Sequence, residues 1–451
     1  MKQNFLSSFA AAFLCAVSLL PLSACAQSTD LPVRLRVELD RPVLPAGSSQ
    51  RVVLKIALDS LRLPRSEARP PVNLTLVLDR SGSMNGEKLE HAKDAAIEAV
   101  RRLAPDDVFS LVIFDHEVNT LVPACRVGDR RDLEALIRSI YARGNTAIYG
   151  GVTQGAAELR KHLEDRRYTH RMILLSDGLA NNGPSQPEDF ARLGASLIRE
   201  GISVSTIGVG LDYNEDLMTR LARRSDGNTY FVSSSRDLMK IFNTELGDVL
   251  SVVARRVVVT IEFLAHVRPL SFVGRDGIIH GQRAEFSLNQ LYGGQEKFAL
   301  VEVEVDSASA GEEREIANAS VVFEDAVNQR TETLAAKRSV QFSASQAAVV
   351  QAADRKVQAD YAVNALAVAK DEAIALVDSN RRDQAARVLR QKSDELRKMS
   401  EVYSNAAVGV VAAAAAPAAA RVEKEGLSNA ERKSYRAEIQ QAQSQQTSDP
   451  K

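Results

Sequence analysis

Val72-Asn73-Leu74-Thr75-Leu76-Val77-Leu78-Asp79-Arg80-Ser81-Gly82-Ser83-Met84 is the stretch whose reading decides the fold. Residues 72–78 are an unbroken, largely apolar run with β-branched members, the mark of a parallel strand buried on both faces. A glycine-containing loop follows it. Residues 87–103 then carry Leu89, Ala92, Ala96, Val100 and Leu103 at helical spacing until Pro105 stops the helix.

Downstream the same alternation continues. Residues 108–114 and 118–122 read as a strand pair around Asp115-His116-Glu117, residues 129–141 and 148–163 as helices, and 172–175 as a second buried strand ending in Ser176-Asp177-Gly178. Helices over 187–200, 215–223 and 236–249 alternate with strands over 202–209 and 229–232. The expected fold is α/β, a doubly wound, mainly parallel sheet over residues 72–250.

On both sides the period is two. Leu35, Val37 and Leu39, then Val52, Leu54, Ile56 and Leu58, alternate with polar residues around a turn at Pro42, Pro45 and Gly47. Residues 251–344 repeat the pattern at 257–263, 284–288, 298–305 and 316–323, so the α/β unit is either inserted in a β-sandwich begun by residues 25–71 or followed by one. Residues 345–402 read as a helical hairpin about Asp378-Ser379-Asn380, with Val350, Val357, Tyr361 and Val368 on one stripe. The Ala- and Gln-rich tail, 403–451, is interrupted by Pro417; it is expected to lack packed structure and to be too short and too weakly apolar to span a membrane.

The chain has 451 residues, 45% hydrophobic and 25% charged, with a formal net charge of -1, a balance that excludes a non-specific nucleic-acid binder. Three cysteines make no disulfide framework. Residues 1–24 read as a signal peptide, with Lys2, an apolar run over 5–20, and Leu22-Ser23-Ala24-Cys25 in the order of a bacterial lipobox, which would make Cys25 the lipidated first residue. Ala24-Cys25-Ala26 also fits ordinary signal peptidase, with Gln27 then leading a soluble protein. The expectation is an exported, membrane-anchored protein of the outer membrane, since Ala26 follows the cysteine; the alternative is a soluble periplasmic or secreted one.

The loop after the first parallel strand presents Asp79, Ser81 and Ser83 on alternate positions, where open α/β sheets bind ligands. Gly144-Asn145-Thr146 precedes a helix, and Ser176-Asp177-Gly178 adds a hydroxyl and a second carboxylate. A crevice shared by the three loops would hold two carboxylates and neutral hydroxyls, without the Cys or His that zinc or copper prefers. Such a set suits Mg²⁺; Ca²⁺ comes second, and Mn²⁺ is a further alternative. A phosphotransferase would need an aspartate where Ser81 stands, and no Gly-x-Ser-x-Gly, His-Glu-x-x-His or Walker loop occurs. His116 is read as a solvated turn residue and Cys125 as a small buried one. Between Arg126 and Arg171 ten basic residues face six acidic ones, mostly on solvated helix faces, an excess that would favour an acidic partner.

These motifs resemble the von Willebrand factor A domain and its metal-ion-dependent adhesion site. Asp79, Ser81 and Ser83 match its Asp-x-Ser-x-Ser, Thr146 its threonine and Asp177 its second aspartate, over roughly residues 72–249; the flanks are similar to bacterial secreted relatives of inter-alpha-trypsin inhibitor heavy chains. The resemblance implies that these five residues hold a metal whose shell is completed by a carboxylate of a protein partner. The expected function is non-enzymatic, metal-dependent adhesion or envelope assembly. Alternatives are a metal-assisted hydrolase, which would need a general base or second acid cluster that the motifs lack, and a structural envelope protein.

Overall fold

A computed structural model describes residues 31–62, 69–129, 132–210 and 212–448, of which those from Pro32 onward pack against one another. The leader and Cys25 lie outside the described residues. Three strands come first, β1 (Val33–Leu39), β2 (Val43–Pro45) and β3 (Gln50–Ser60); the fold-deciding run is β4 (Val72–Asp79). Next come α1 (Glu87–Arg102), β5 (Val108–Phe114), β6 (Val118–Arg126), α2 (Leu133–Arg138), α3 (Ile148–Arg160), β7 (Thr169–Ser176), α4 (Pro187–Arg199), β8 (Ile202–Val209), α5 (Glu215–Arg224), β9 (Thr229–Val232) and α6 (Leu238–Val249).

All eight residues of β4 are buried, as expected of a strand covered by helices on both faces. The sheet order is β6-β5-β4-β7-β8-β9, parallel except for the β5–β6 hairpin. Because β4 lies between β5 and β7, the loops after β4 and β7 emerge side by side at the same sheet edge. One helical layer packs Leu74, Leu76 and Leu78 against Leu89, Ala96 and Ile97 of α1; the other packs Val77 and Phe114 against Ile148 and Val152 of α3.

The remaining strands are β10 (Val252–Phe263), β11 (Val267–Val273), β12 (Ile278–His280), β13 (Arg283–Tyr292), β14 (Gln295–Val305), β15 (Glu313–Asp325), β16 (Thr331–Ser343) and, at the end of the chain, β17 (Gln446–Ser448). One sheet runs β1-β3-β14-β11, with β17 on β14, and the other β12-β13-β10-β15-β16-β2. β3 pairs with β14 antiparallel, Leu54 opposite Val301 and Ile56 opposite Ala299, and the two sheets bury one common core. The α/β unit is thus an insertion between β3 and β10 of a sandwich. On the outer face of β3, Lys55 is fully buried, 2.8 Å from Glu296 and 2.6 Å from Asp360. A helix covers this face, so alternation of apolar and polar residues did not mean one wet side.

The helices are α7 (Gln346–Gln351), α8 (Arg355–Asp378), α9 (Arg382–Tyr403), α10 (Ala406–Glu425) and α11 (Asn429–Ser444). The first arm of the hairpin expected over 345–402 is split, because the Asp354 carboxylate caps a new start by accepting from the amides of Lys356 and Val357. Val368 is exposed, off the buried stripe. The larger correction is the tail, where 406–444 is largely helical and packed. Alanine is the best helix former, and Ala412, Ala415 and Ala419 let α10 approach its neighbours closely enough to share a core with Leu389 and Leu396. Pro417 lies inside α10 without ending it. Ser428 and Glu431 form a reciprocal cap that starts α11. By length and composition α10 is apolar enough to cross a membrane, with mean hydropathy 1.4, contrary to expectation, though here one of its faces is buried against α9.

Candidate functional site

β4 ends at Asp79 and the chain turns through a short 3-10 segment, Gly82–Met84, into α1. The turn is held from within and from the neighbouring loop. Asp79 Oδ1 accepts the Ser81 amide at 2.8 Å, its other oxygen accepts the Ser176 hydroxyl, and the Gly82 amide donates to the Gly144 carbonyl at 3.0 Å. Ser81 and Ser83 hydroxyls are 3.1 Å apart, and Ser83 donates to Asp177 Oδ1 at 2.6 Å. Thr146 is buried and fixed through its amide to Asn181 Oδ1 at 2.8 Å. Its hydroxyl lies so near Gly178 that a Cβ on that glycine would come within 2.9 Å.

Asp79, Ser81, Ser83, Thr146 and Asp177 are therefore gathered at one sheet edge, the serines and aspartates by a chain of hydrogen bonds and Thr146 by its approach to the residue after Asp177. Asp79 and Asp177 are fully buried, and Ser83 is the exposed member. The Ser176 hydroxyl, expected at this crevice, steadies Asp79. One residue that sequence reasoning did not single out completes the cluster: the Lys88 ammonium, from the first turn of α1, pairs with Asp177. Lys88 belongs to none of the three motifs, and only the position of α1's first turn beside the end of β7 brings it there.

Burial pushes the Asp79 carboxyl up to about 6; hydrogen bonds from Ser176 and Ser81 oppose the rise and the Asp177 charge adds to it. A folded-state value above the unfolded one means that the folded protein holds this proton more tightly. The metal-free protein therefore loses stability as pH rises from about 4 to about 6, and above that the cost is constant. A cation needs the ionised form. Magnesium affinity, measured by titration calorimetry, is expected to be about tenfold weaker at pH 5 than at pH 7; equal affinities would remove Asp79 from the ligand set.

The donor set, all oxygen with two carboxylates and small hydroxyls, fits a hard divalent cation of the Mg²⁺ or Ca²⁺ kind. The Lys88 contact is an observation in the same direction, since positive charge is already drawn to Asp177. Lys88 also competes there. At 4 Å two unit charges interact by about 1 kcal/mol in water-like surroundings, so Lys88→Ala is expected to tighten magnesium binding roughly fivefold; weaker binding by the variant would show that Lys88 supports the site instead.

A second acidic group lies beside the first. Ligand atoms of Asp115, His116 and Glu117 fall within 4.8 Å of one another. Arg80 and Arg143 each lie 2.9 Å from Asp115, and Arg143 is 2.6 Å from Glu117. Burial would raise the Asp115 carboxyl, but the Glu117 amide, Arg143 and Arg80 outweigh it and hold it below the usual carboxylate range. With two guanidinium groups in place this trio acts as an ion-pair brace for the Gly144 loop. The fit is close: Gly144 has φ +71°, and a Cβ there would stand 2.1 Å from His116 Nδ1.

The basic excess between Arg126 and Arg171 is largely spent inside the chain. Arg138 pairs with Asp94, Arg160 with Glu200 and Lys161 with Glu158. Arg171, one of the ten, is not on a solvated helix face but fully buried against Glu245.

Comparison with known proteins gives this edge its family. The von Willebrand factor type A domain matches residues 73–244. Those residues form a von Willebrand factor type A domain. An uncharacterized protein of Synechocystis sp. is 28% identical over 299 residues, 64% of this chain and 70% of its own. YfbK, an uncharacterized protein of Escherichia coli, is 29% identical over 52% of this chain and 40% of its own. Inter-alpha-trypsin inhibitor heavy chain H3 of Rattus norvegicus is 29% identical over 165 residues, 35% of this chain and 18% of that one. The chain thus spans less than half the length of the last two.

Among solved structures, a von Willebrand factor type A protein from Catenulispora acidiphila superposes with TM-score 0.63 at 16% identity, covering 83% of this chain and 90% of that one. The ArnB paralog VWA2 from Sulfolobus acidocaldarius does so with TM-score 0.59 at 17% identity, covering 91% and 98%. Both likenesses extend well beyond the A domain, so the sandwich and helices share in a common fold. Domains of this family mediate protein–protein contacts, often with a divalent metal.

Proposed function

We propose that the protein is a non-enzymatic, magnesium-dependent protein-binding module in which Asp79, Ser81, Ser83, Thr146 and Asp177 hold the ion and an Asp or Glu of the partner completes its shell. The observation that carries this reading is the convergence of two fully buried aspartates with Ser81, Ser83 and the Lys88 ammonium at the carboxyl edge of the A-domain sheet. Two aspartates balance one divalent ion, so an incoming carboxylate meets no like-charge barrier. Ca²⁺ or Mn²⁺ would satisfy the same oxygens. Ser176 and the Gly144 carbonyl hold the loop in position. No metal-binding role is assigned to His116, whose Nδ1 lies 3.0 Å from Asp115.

The test is a surface-binding assay against a partner captured by crosslinking from the native envelope, in magnesium and in EDTA. Binding is expected to vanish in EDTA and in Asp79→Ala. Thr146→Ala is expected to weaken the partner more than the metal, because water replaces one neutral oxygen around the resting ion but not the geometry of the ligated one. Full-strength binding in EDTA would move recognition to another surface. We place the module on the cell envelope, held by a lipid on Cys25, a reading supported by Leu22-Ser23-Ala24-Cys25. A triacylated terminus holds a protein on a membrane where one chain does not, and a mature chain starting at unmodified Gln27 by intact mass spectrometry would overturn it.

A further inference from the structure

α11 docks on the A domain and on the sandwich at once, and the seam it closes encloses a cavity. This space, of about 220 Å³, lies between α4, the end of α5, the loop 226–228, the turn from β11 to β12, β14 and α11. Four cationic side chains line it, Arg223, Arg224, Arg275 and Lys297, against two carboxylates, Asp226 and Asp276. Asp276 is 2.9 Å from Arg223 and 3.2 Å from Arg224. Asp226 is 3.5 Å from Lys297 and 4.0 Å from Arg275, the outer limit of an ion pair. Each carboxylate thus serves two cations. Desolvation pushes both Arg275 and Lys297 below their ordinary values despite Asp226. Buried positive charge in excess is costly until an anion completes it.

The wall supplied by α11 is polar and unsatisfied. Gln440 and Gln443 are 5% and 7% exposed, and the carboxamide oxygen of neither has a hydrogen-bond partner. An adjoining crevice of about 140 Å³ shares Arg223, Arg224 and Gln443 and adds Thr219, whose buried hydroxyl is also unpartnered. Arg275 also donates to the Ser444 carbonyl and, at 3.3 Å, to Gln445 Oε1, so what remains is the surplus of cations over carboxylates. Unmet acceptors beside that surplus call for a ligand that is anionic at one end and donates hydrogen bonds at the other.

We propose that this seam binds a small phosphorylated polyol, its phosphate among Arg223, Arg224, Arg275 and Lys297 and its hydroxyls donating to Gln440 and Gln443. A phosphate monoester carries about -1.5 to -2 at pH 7, which matches the surplus of two cations over the carboxylates, and guanidinium forks suit its oxygens. The volume falls below the ~300–1,000 Å³ of pockets for drug-sized ligands, so the ligand is small. Arg224, half exposed, flanks the way in. Residues 226–228 precede β9 and stand at the amino edge of the parallel sheet, opposite Asp79, so this site is separate from the candidate metal site. A bound ligand would fasten α11 to the A domain and the sandwich together.

The test is calorimetric titration of the full chain with glycerol 3-phosphate, inorganic phosphate and glycerol. Glycerol 3-phosphate is expected to bind one to one and to raise the Tm, inorganic phosphate to bind about tenfold more weakly, and glycerol not at all. Arg224→Ala, at a half-exposed position and expected to keep the wild-type circular dichroism spectrum, is expected to lower affinity for both phosphates by roughly tenfold or more. Gln443→Leu is expected to weaken the ester and spare inorganic phosphate. Absence of saturable binding, undiminished binding by Arg224→Ala, or equal affinity for the ester and free phosphate would each overturn the proposal.

Discussion

Replacing Glu245 by alanine is expected to lower the unfolding free energy by about 3–5 kcal/mol, the range for removing one partner of a buried ion pair. Arg171 and Glu245 are both fully buried. Glu245 Oε1 accepts Arg171 Nε at 2.8 Å and the Ser205 hydroxyl at 2.6 Å; Oε2 accepts Asn228 Nδ2 and the Tyr230 hydroxyl, each at 2.9 Å. Burial alone would raise this carboxyl, yet Arg171, Ser205 and Asn228 hold it below the usual carboxylate range, so it remains ionised. Arg171 also lies over the Tyr292 ring, 5.7 Å from its centre. One carboxylate thus joins β7, β8, β9 and α6, next to a strand of the sandwich, and its loss strands a guanidinium and the Ser205 hydroxyl away from water and leaves the half-buried Asn228 and Tyr230 without their acceptor. Chemical denaturation of the variant checks the figure. Arg171→Met with Glu245→Leu is expected to recover most of the loss, because removing both partners orphans no charge. A Glu245→Ala cost below about 1 kcal/mol would mean that water reaches Arg171 and that the brace contributes little.

Magnesium at a hundredfold excess over its dissociation constant is expected to stabilise the folded protein by about 2.7 kcal/mol, if the unfolded chain binds none. The Asp79→Ala, Asp177→Ala variant is expected to show no such gain. Both proteins should be folded without metal, because β4 and β7 are buried along their whole length beneath the site and do not depend on it. Thermal melts with magnesium and with EDTA separate the outcomes. An unchanged wild-type melting temperature would remove the metal from the proposed function and leave the A-domain fold untouched.

Much of the α/β unit was legible because its signals are local. A strand buried on both faces is a run of apolar residues, a helix has a 3.6-residue period, and Asp79, Ser81 and Ser83 lie within five consecutive residues. The parallel direction of β4 and β7 followed from the alternation of elements; that they are neighbours, which puts Asp177 beside that loop, is shown by their pairing in the sheet. The sandwich was only partly legible, because period two in β3 showed strand character but not that a helix would cover its outer face and bury Lys55. The tail was misread because an alanine run looks the same whether solvated or packed; its burial depends on α9 presenting Leu389 and Leu396 to it.

The sequence by itself determined the elements of the A domain and the chemical identity of the oxygen cluster, since both are written in neighbouring residues. Only the tertiary structure decided that Lys88 meets Asp177 across 89 positions, that Arg171 is buried against Glu245 and not solvated, and that β3 finds β14 on the far side of a whole inserted domain. It alone shows the cation-rich seam under α11. The physical reason is that an ionic contact has no period: its partners are set by which elements fold together and by the exclusion of water between them, and neither is encoded within a window of a few residues.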